Sequence, residues 1–283
     1  MKPLDDYIKK QLDSHIKNIG KQLGNADTIS IFGPIVPGLD TTVRNVIEMN
    51  TTPQKKVVMI LQTLGGVVEV VERIVDVIRN FYQEVIVIVP DQAMSAGTVL
   101  TLSADKIMMD YFSRLGPIDP QIFKDDKLVP ALSYIKQYEK LNEKAMEGTL
   151  TTAEYAMLQK LDLGELYQFE QARELSVELL IKWLSQYKFK DWETTETHGH
   201  PVSQEMKKER AKKIANKLND PNRWHSHERG INISTLTDEL NLKIEDYSEN
   251  EKLSVTVKEY FNLLMDYLTR QNLISFVHTE EHF

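Results

Sequence analysis

Apolar residues recur every three or four positions from Leu4 to Leu23, at Leu4, Ile8, Leu12, Ile16 and Ile19. That spacing puts them on one face of an amphipathic helix. The pattern then changes to short β-rich runs, Thr28–Phe32 and, apolar at every position, Val57–Leu61 and Val85–Val89, with a shorter strand-like stretch at Lys106–Met109. Such runs read as strands buried on both faces. Between them, Thr41–Asn50, Val67–Phe81 and Ala96–Ser103 carry helical periodicity, so strand and helix alternate as in a largely parallel sheet covered by helices.

After Pro130 no further strand-like runs are recognised, and helical periodicity rich in Glu and Lys takes over. Helices are predicted over Val129–Met146, from Thr151 to about Tyr187 with a break at Gly164, over Ser203–Leu218 and over Val255–Thr269, with a short helix and turn in Leu236–Asp246. Thr151 and Glu154 have the spacing of a capping box. The expected organisation is an N-terminal helix (1–24), an α/β core (25–125) and a helical C-terminal region (126–283). His278 and His282, in the last few residues, are expected to fray.

Composition narrows the function. With 283 residues the chain can bury a core without staples. Lys+Arg 34 against Asp+Glu 42 leaves a net charge of −8, and apart from Lys207–Lys213 no basic cluster opposes that sign, so nucleic acid is a poor partner. Zero cysteines exclude disulfides, thiolate metal sites and a Cys nucleophile. The acidic start at Asp5-Asp6 does not read as a signal peptide and no long apolar span occurs, which predicts a cytoplasmic, unanchored protein.

Two glycine-bearing loops follow adjacent predicted strands: Leu61-Gln62-Thr63-Leu64-Gly65-Gly66 and Pro90-Asp91-Gln92-Ala93-Met94-Ser95-Ala96-Gly97. Ligands of open α/β sheets bind at the carboxyl ends of the strands, so the loops would share a site. Gly65 and Gly66 can bring backbone N–H groups close to a carbonyl. Ser95 would open a helix, either as a nucleophile or as a simple N-cap.

With Ser103-Ala104-Asp105-Lys106-Ile107 and Leu115-Gly116-Pro117-Ile118-Asp119-Pro120-Gln121, these loops resemble the Clp-protease/crotonase superfamily. Within it they are most similar to the serine dehydrogenase proteinase and signal peptide peptidase A branch. The resemblance implies an α/β spiral and peptide hydrolysis without a cofactor. It also implies a Ser95 nucleophile, an oxyanion hole of Gly65, Gly66 and Ala96 amides, and a homo-oligomer acting on a peptide or protein substrate. No Gly-x-Gly-x-x-Gly turn supports a dinucleotide.

The base stays open. Where Clp subunits carry their histidine this chain has Pro120. Membrane-associated relatives use a lysine that must be desolvated, for which Lys136 is the candidate. The branch is also resembled through Thr197-His198-Gly199-His200-Pro201 and Trp224-His225-Ser226-His227-Glu228-Arg229-Gly230, which offer His198 and His227 as bases, or His-x-His as a zinc pair. Two rivals remain: an acyl-CoA enzyme, against which Ser95 counts, and a catalytically inactive scaffold of the same fold that binds peptides.

Overall fold

The computed structural model describes residues 3–124, 127–195 and 199–283. Helix α1 (Pro3–Gln22) leads into β1 (Asp27–Phe32), α2 (Leu39–Met49), β2 (Lys56–Gln62), α3 (Val68–Phe81), β3 (Glu84–Ile88), the short β4 (Gln92–Ala93), α4 (Ala96–Thr101), β5 (Lys106–Met109) and β6 (Arg114–Leu115). A hairpin of β7 (Gln121–Lys124) and β8 (Lys127–Pro130) precedes α5 (Ala131–Met146), α6 (Thr152–Leu158) and α7 (Leu163–Trp183). Then come α8 (Gln204–Leu218), α9 (Pro221–Trp224), β9 (Glu245–Asp246), α10 (Glu251–Gln271) and β10 (Phe276–His278).

The main sheet has the order β10-β1-β2-β3-β5-β9. Every pair is parallel except β10 on β1. The fold is thus the mixed α/β arrangement with a parallel-dominated sheet that the alternating pattern predicts. Successive strand residues point to opposite faces. Val57, Met59 and Leu61 enter the core built with α2, α3, α4, α7 and α8, whereas Val58 and Ile60 face the one built with α1 and α10. This is why the strands are apolar throughout.

Three expectations are corrected. Strands do not end at Pro130: β9 and β10 return to the sheet from the C-terminal region. The helical break precedes Gly164, because Asp162 caps α7 by accepting from the Gly164 and Glu165 N–H groups at 2.8 and 3.2 Å. His278 does not fray. It is fully buried in β10, paired opposite Ser30, and its ring bridges Tyr260 and Asp13. The apolar stripe of α1 (Ile8, Leu12, Ile16, Ile19) is buried within this chain, on the same face of the sheet as α10. Among the described residues, no helix is long and apolar enough to cross a membrane.

Candidate active site

Beyond the carboxyl ends of β2 and β3 the two loops continue to pair. Thr63 N–H donates to Gln92 O and Met94 N–H to Thr63 O, both at 3.0 Å. β4 pairs with β6, and Leu115 exchanges both backbone hydrogen bonds with Ile231, at 3.0 and 2.7 Å. On the other side, Ile35 bridges Gly66. A minor ladder therefore runs across the strand ends and gathers segments from the whole chain around Ser95.

Ser95 sits where that ladder turns into α4. Its φ of 52° and ψ of −118° place it in a sparsely populated region, which costs about 1–3 kcal/mol and persists only where the surroundings enforce it. Two glycines do so. A Cβ on Gly65 would lie 2.8 Å from the Ser95 Cβ and from Met94 O, and one on Gly116 would lie 3.1 Å from Ser95 N. The Gly65 φ of 108° adds a conformation that side chains rarely adopt. Thr98 fastens the far side, accepting from the Gly116 N–H at 2.9 Å and lying 2.8 Å from Ala93 O.

The alternative of a simple N-cap fails: the Ser95 side chain makes no capping hydrogen bond. It is half-buried and makes no hydrogen bond among the described residues. Helix α4 has only six residues, so little helix dipole reaches the hydroxyl. What the loops offer is backbone N–H groups. Those of Gly66 and Ala96 have no acceptor among the described residues, while the Gly65 N–H donates to Thr63 Oγ1 at 2.9 Å.

The candidate bases separate. Lys136 lies on α5 with its side chain 41% exposed and its Nζ 3.4 Å from Asp220 Oδ1, so it lacks the burial that a desolvated lysine base requires. His198 lies outside the described residues. His227, in the loop after α9, is 18% exposed, and its Nδ1 lies 2.9 Å from Oδ1 of Asp119, itself only 3% exposed. The Leu115–Ile231 bridge brings this loop alongside the Gly116–Asp119 segment. Asp119 was not among the residues that the sequence assigned chemistry. Its signal was the Gly-Pro-Ile-Asp-Pro string, which served only to select the branch. No group of three or more His, Asp or Glu among the described residues is placed to hold a metal ion.

Residues 36–200 match the family of ClpP-like SDH-type serine proteinases, and the chain belongs to that family. Two uncharacterised proteins of Methanocaldococcus jannaschii are similar to it. One is 35% identical over 164 residues, covering 55% of this chain and 52% of the relative. The other is 36% identical over 92 residues, covering 32% and 30%. The chain thus spans about half the length of the first and less than a third of the second. A solved membrane-bound stomatin-specific protease, in mutant form, aligns with 50% of this chain and 73% of its own at 19% identity and a TM-score of 0.31.

Proposed function

We propose that this chain is a serine peptidase in which Ser95 is the nucleophile and His227, oriented by Asp119, is the base. Nδ1 of His227 is engaged by a buried carboxylate, which fixes the tautomer that leaves Nε2 as the acceptor for a serine proton. The Ser95 hydroxyl attacks a peptide carbonyl, His227 takes its proton and later passes it to the leaving amine, and water then hydrolyses the acyl-enzyme. The Ala96 and Gly66 N–H groups receive the oxyanion, with the Gly65 N–H joining once the Thr63 hydroxyl turns away.

The observation that carries this reading is the His227–Asp119 contact on a segment laddered to the strained Ser95 turn. Lys136, partly exposed and paired with Asp220, is the weaker base candidate. Self-association belongs to the same reading, and exposed Met146, Tyr155, Met157, Leu163 and Tyr167 on and beside α5, α6 and α7 support it.

A fluorophosphonate probe tests the proposal, because it reports an activated serine whatever the natural substrate. Labelling is expected in the wild type and lost in Ser95→Ala. A wild type that resists the probe, with folding confirmed by circular dichroism, would leave the inactive peptide-binding scaffold in its place.

A further inference from the structure

A cavity of about 530 Å³ opens between α5, α7 and the turn from α8 to α9. Among the described residues, its walls carry the carboxylates of Glu139, Glu174, Glu178 and Asp220 against two cations, Lys136 and Arg173. Lys136 is held by Asp220, whereas Glu139 and Glu178 have no cationic partner among the described residues. Ile135, Val177, Ile181 and Pro221 supply apolar surface beside these charges. Such a mixture suits a long aliphatic side chain ending in a cation.

The cavity's position relates it to Ser95. Met94 and Ser95 continue the β4 strand that pairs with β6, and two residues after Gly116 the Ile118 N–H donates to Leu218 O at 3.1 Å, at the end of α8 and beside Asp220. Two such backbone-to-backbone steps of about 4.8 Å put Leu218, the residue before Asn219 and Asp220 of the cavity's rim, roughly 10 Å from Ser95. An extended peptide advances about 3.3 Å per residue, so that distance is about three residues of substrate.

We infer that this cavity is a specificity subsite that takes an arginine or lysine side chain of the substrate, about three residues from the bond cut at Ser95. The inference rests on the peptidase reading above for its link to Ser95. Glu139 and Glu178 receive the cation, and Asp220 shares it with Lys136. The partly exposed Lys136–Asp220 pair is weak, as ion pairs in contact with solvent are, so it yields readily to an arriving guanidinium. Asp220 also accepts from the Asn222 N–H at 3.0 Å at the start of α9. An occupied subsite therefore bears on the helix that leads to His227.

The test uses the full chain and two fluorescent hexapeptides identical except for arginine or its neutral isostere citrulline at one position. Binding to Ser95→Ala is measured by fluorescence polarisation, and each peptide is also tested for slowing fluorophosphonate labelling of the wild type. The arginine peptide is expected to bind at least about tenfold more tightly and to slow labelling. Glu139→Gln/Glu178→Gln should abolish that preference, whereas Glu249→Gln/Glu251→Gln, an equal charge change elsewhere, should keep it. Equal binding of the two peptides, or a preference that survives in the first double variant, overturns the inference. Preferential binding that leaves labelling untouched overturns the link to Ser95. Absence of labelling with the preference intact instead removes the peptidase reading and leaves a cation-binding cavity.

Discussion

The Tyr260 hydroxyl lies 2.9 Å from Nδ1 of His278, and the two rings stack with an interplanar angle of 10°. The same hydroxyl is 2.6 Å from Ser30 Oγ, and Nε2 of His278 is 3.0 Å from Asp13. With His278 neutral, every member of this row has a consistent partner: Ser30 donates to Tyr260, Tyr260 to Nδ1, and the Nε2 proton goes to Asp13. The row joins β1, α10, β10 and α1.

Acid should loosen that junction. Burial lowers the His278 pKa; Asp13 opposes the shift, while Lys9 and His282 add to it. The unfolded chain therefore takes up a proton near pH 6.5 that the folded chain refuses. Stability is full above that pH and falls as pH drops toward the folded value, by no more than about 1.4 kcal/mol per pH unit from this group. Urea midpoints measured at pH 7.5 and 5.5 should show the loss, and His278→Gln should flatten that part of the profile while lowering stability at pH 7.5.

For catalysis, Asp119→Asn should reduce kcat by about 10³–10⁴, since the imidazole would lose the partner that fixes its tautomer. His227→Ala should cost at least as much. Lys136→Met should leave the hydrolysis of a small peptide ester unchanged. A collapse of activity in Lys136→Met with His227→Ala unaffected would reverse the assignment of the base.

The packing of the serine turn can be tested apart from its chemistry. A Cβ on Gly97 would meet Thr63 Cγ2 at 2.3 Å, and Thr63 is the residue that holds the Gly65 N–H. Gly97→Ala should cost about 1–3 kcal/mol and slow hydrolysis, because the overpacked threonine must shift the Gly65 loop. At Gly148 a Cβ meets nothing within 4 Å, so Gly148→Ala should cost about 1 kcal/mol through its positive φ alone and leave activity intact. Thermal unfolding and steady-state rates separate the two effects.

At the opposite end of the sheet, Asp105 is buried between Arg79 and Lys190 and accepts the Val85 N–H at 2.8 Å. Burial alone would raise its pKa, but Lys190, the Val85 N–H and Arg79 more than offset it and hold the carboxyl below its ordinary range. Its stabilisation is full above about pH 4 and is lost as pH falls through the depressed folded value. Asp105→Asn should destabilise the chain by about 3–5 kcal/mol at pH 7, as measured by chemical denaturation, by leaving Arg79 largely buried without a carboxylate.

Much of this architecture is legible in the sequence because β2 and β3 are buried on both faces and advertise themselves as unbroken apolar runs. The two glycine loops are legible for a related reason: close backbone approach leaves few residue types that fit. β9 and β10 escape such reading, being two and three residues long and set by partners far away in the chain. His278 was misread for the same cause, since Asp13, which it meets, is 265 positions distant. The His227–Asp119 pair spans 108 positions, so although each residue lies in a recognisable string, neither string announces that the two meet. Spacing in the sequence likewise says nothing of how exposed Lys136 is, which only the packing of α5 determines.

The reversed direction of β10 has a consequence for how copies of this chain can meet. One edge of the parallel sheet is capped by three residues running the other way, the opposite edge by the two residues of β9. Neither cap is long enough to template a neighbour's strand, so a continuous intermolecular sheet is disfavoured from both sides. Any contact between copies would then not extend this sheet, and a joint made by side chains can be dissolved or re-tuned by single surface substitutions without unpicking its backbone ladder.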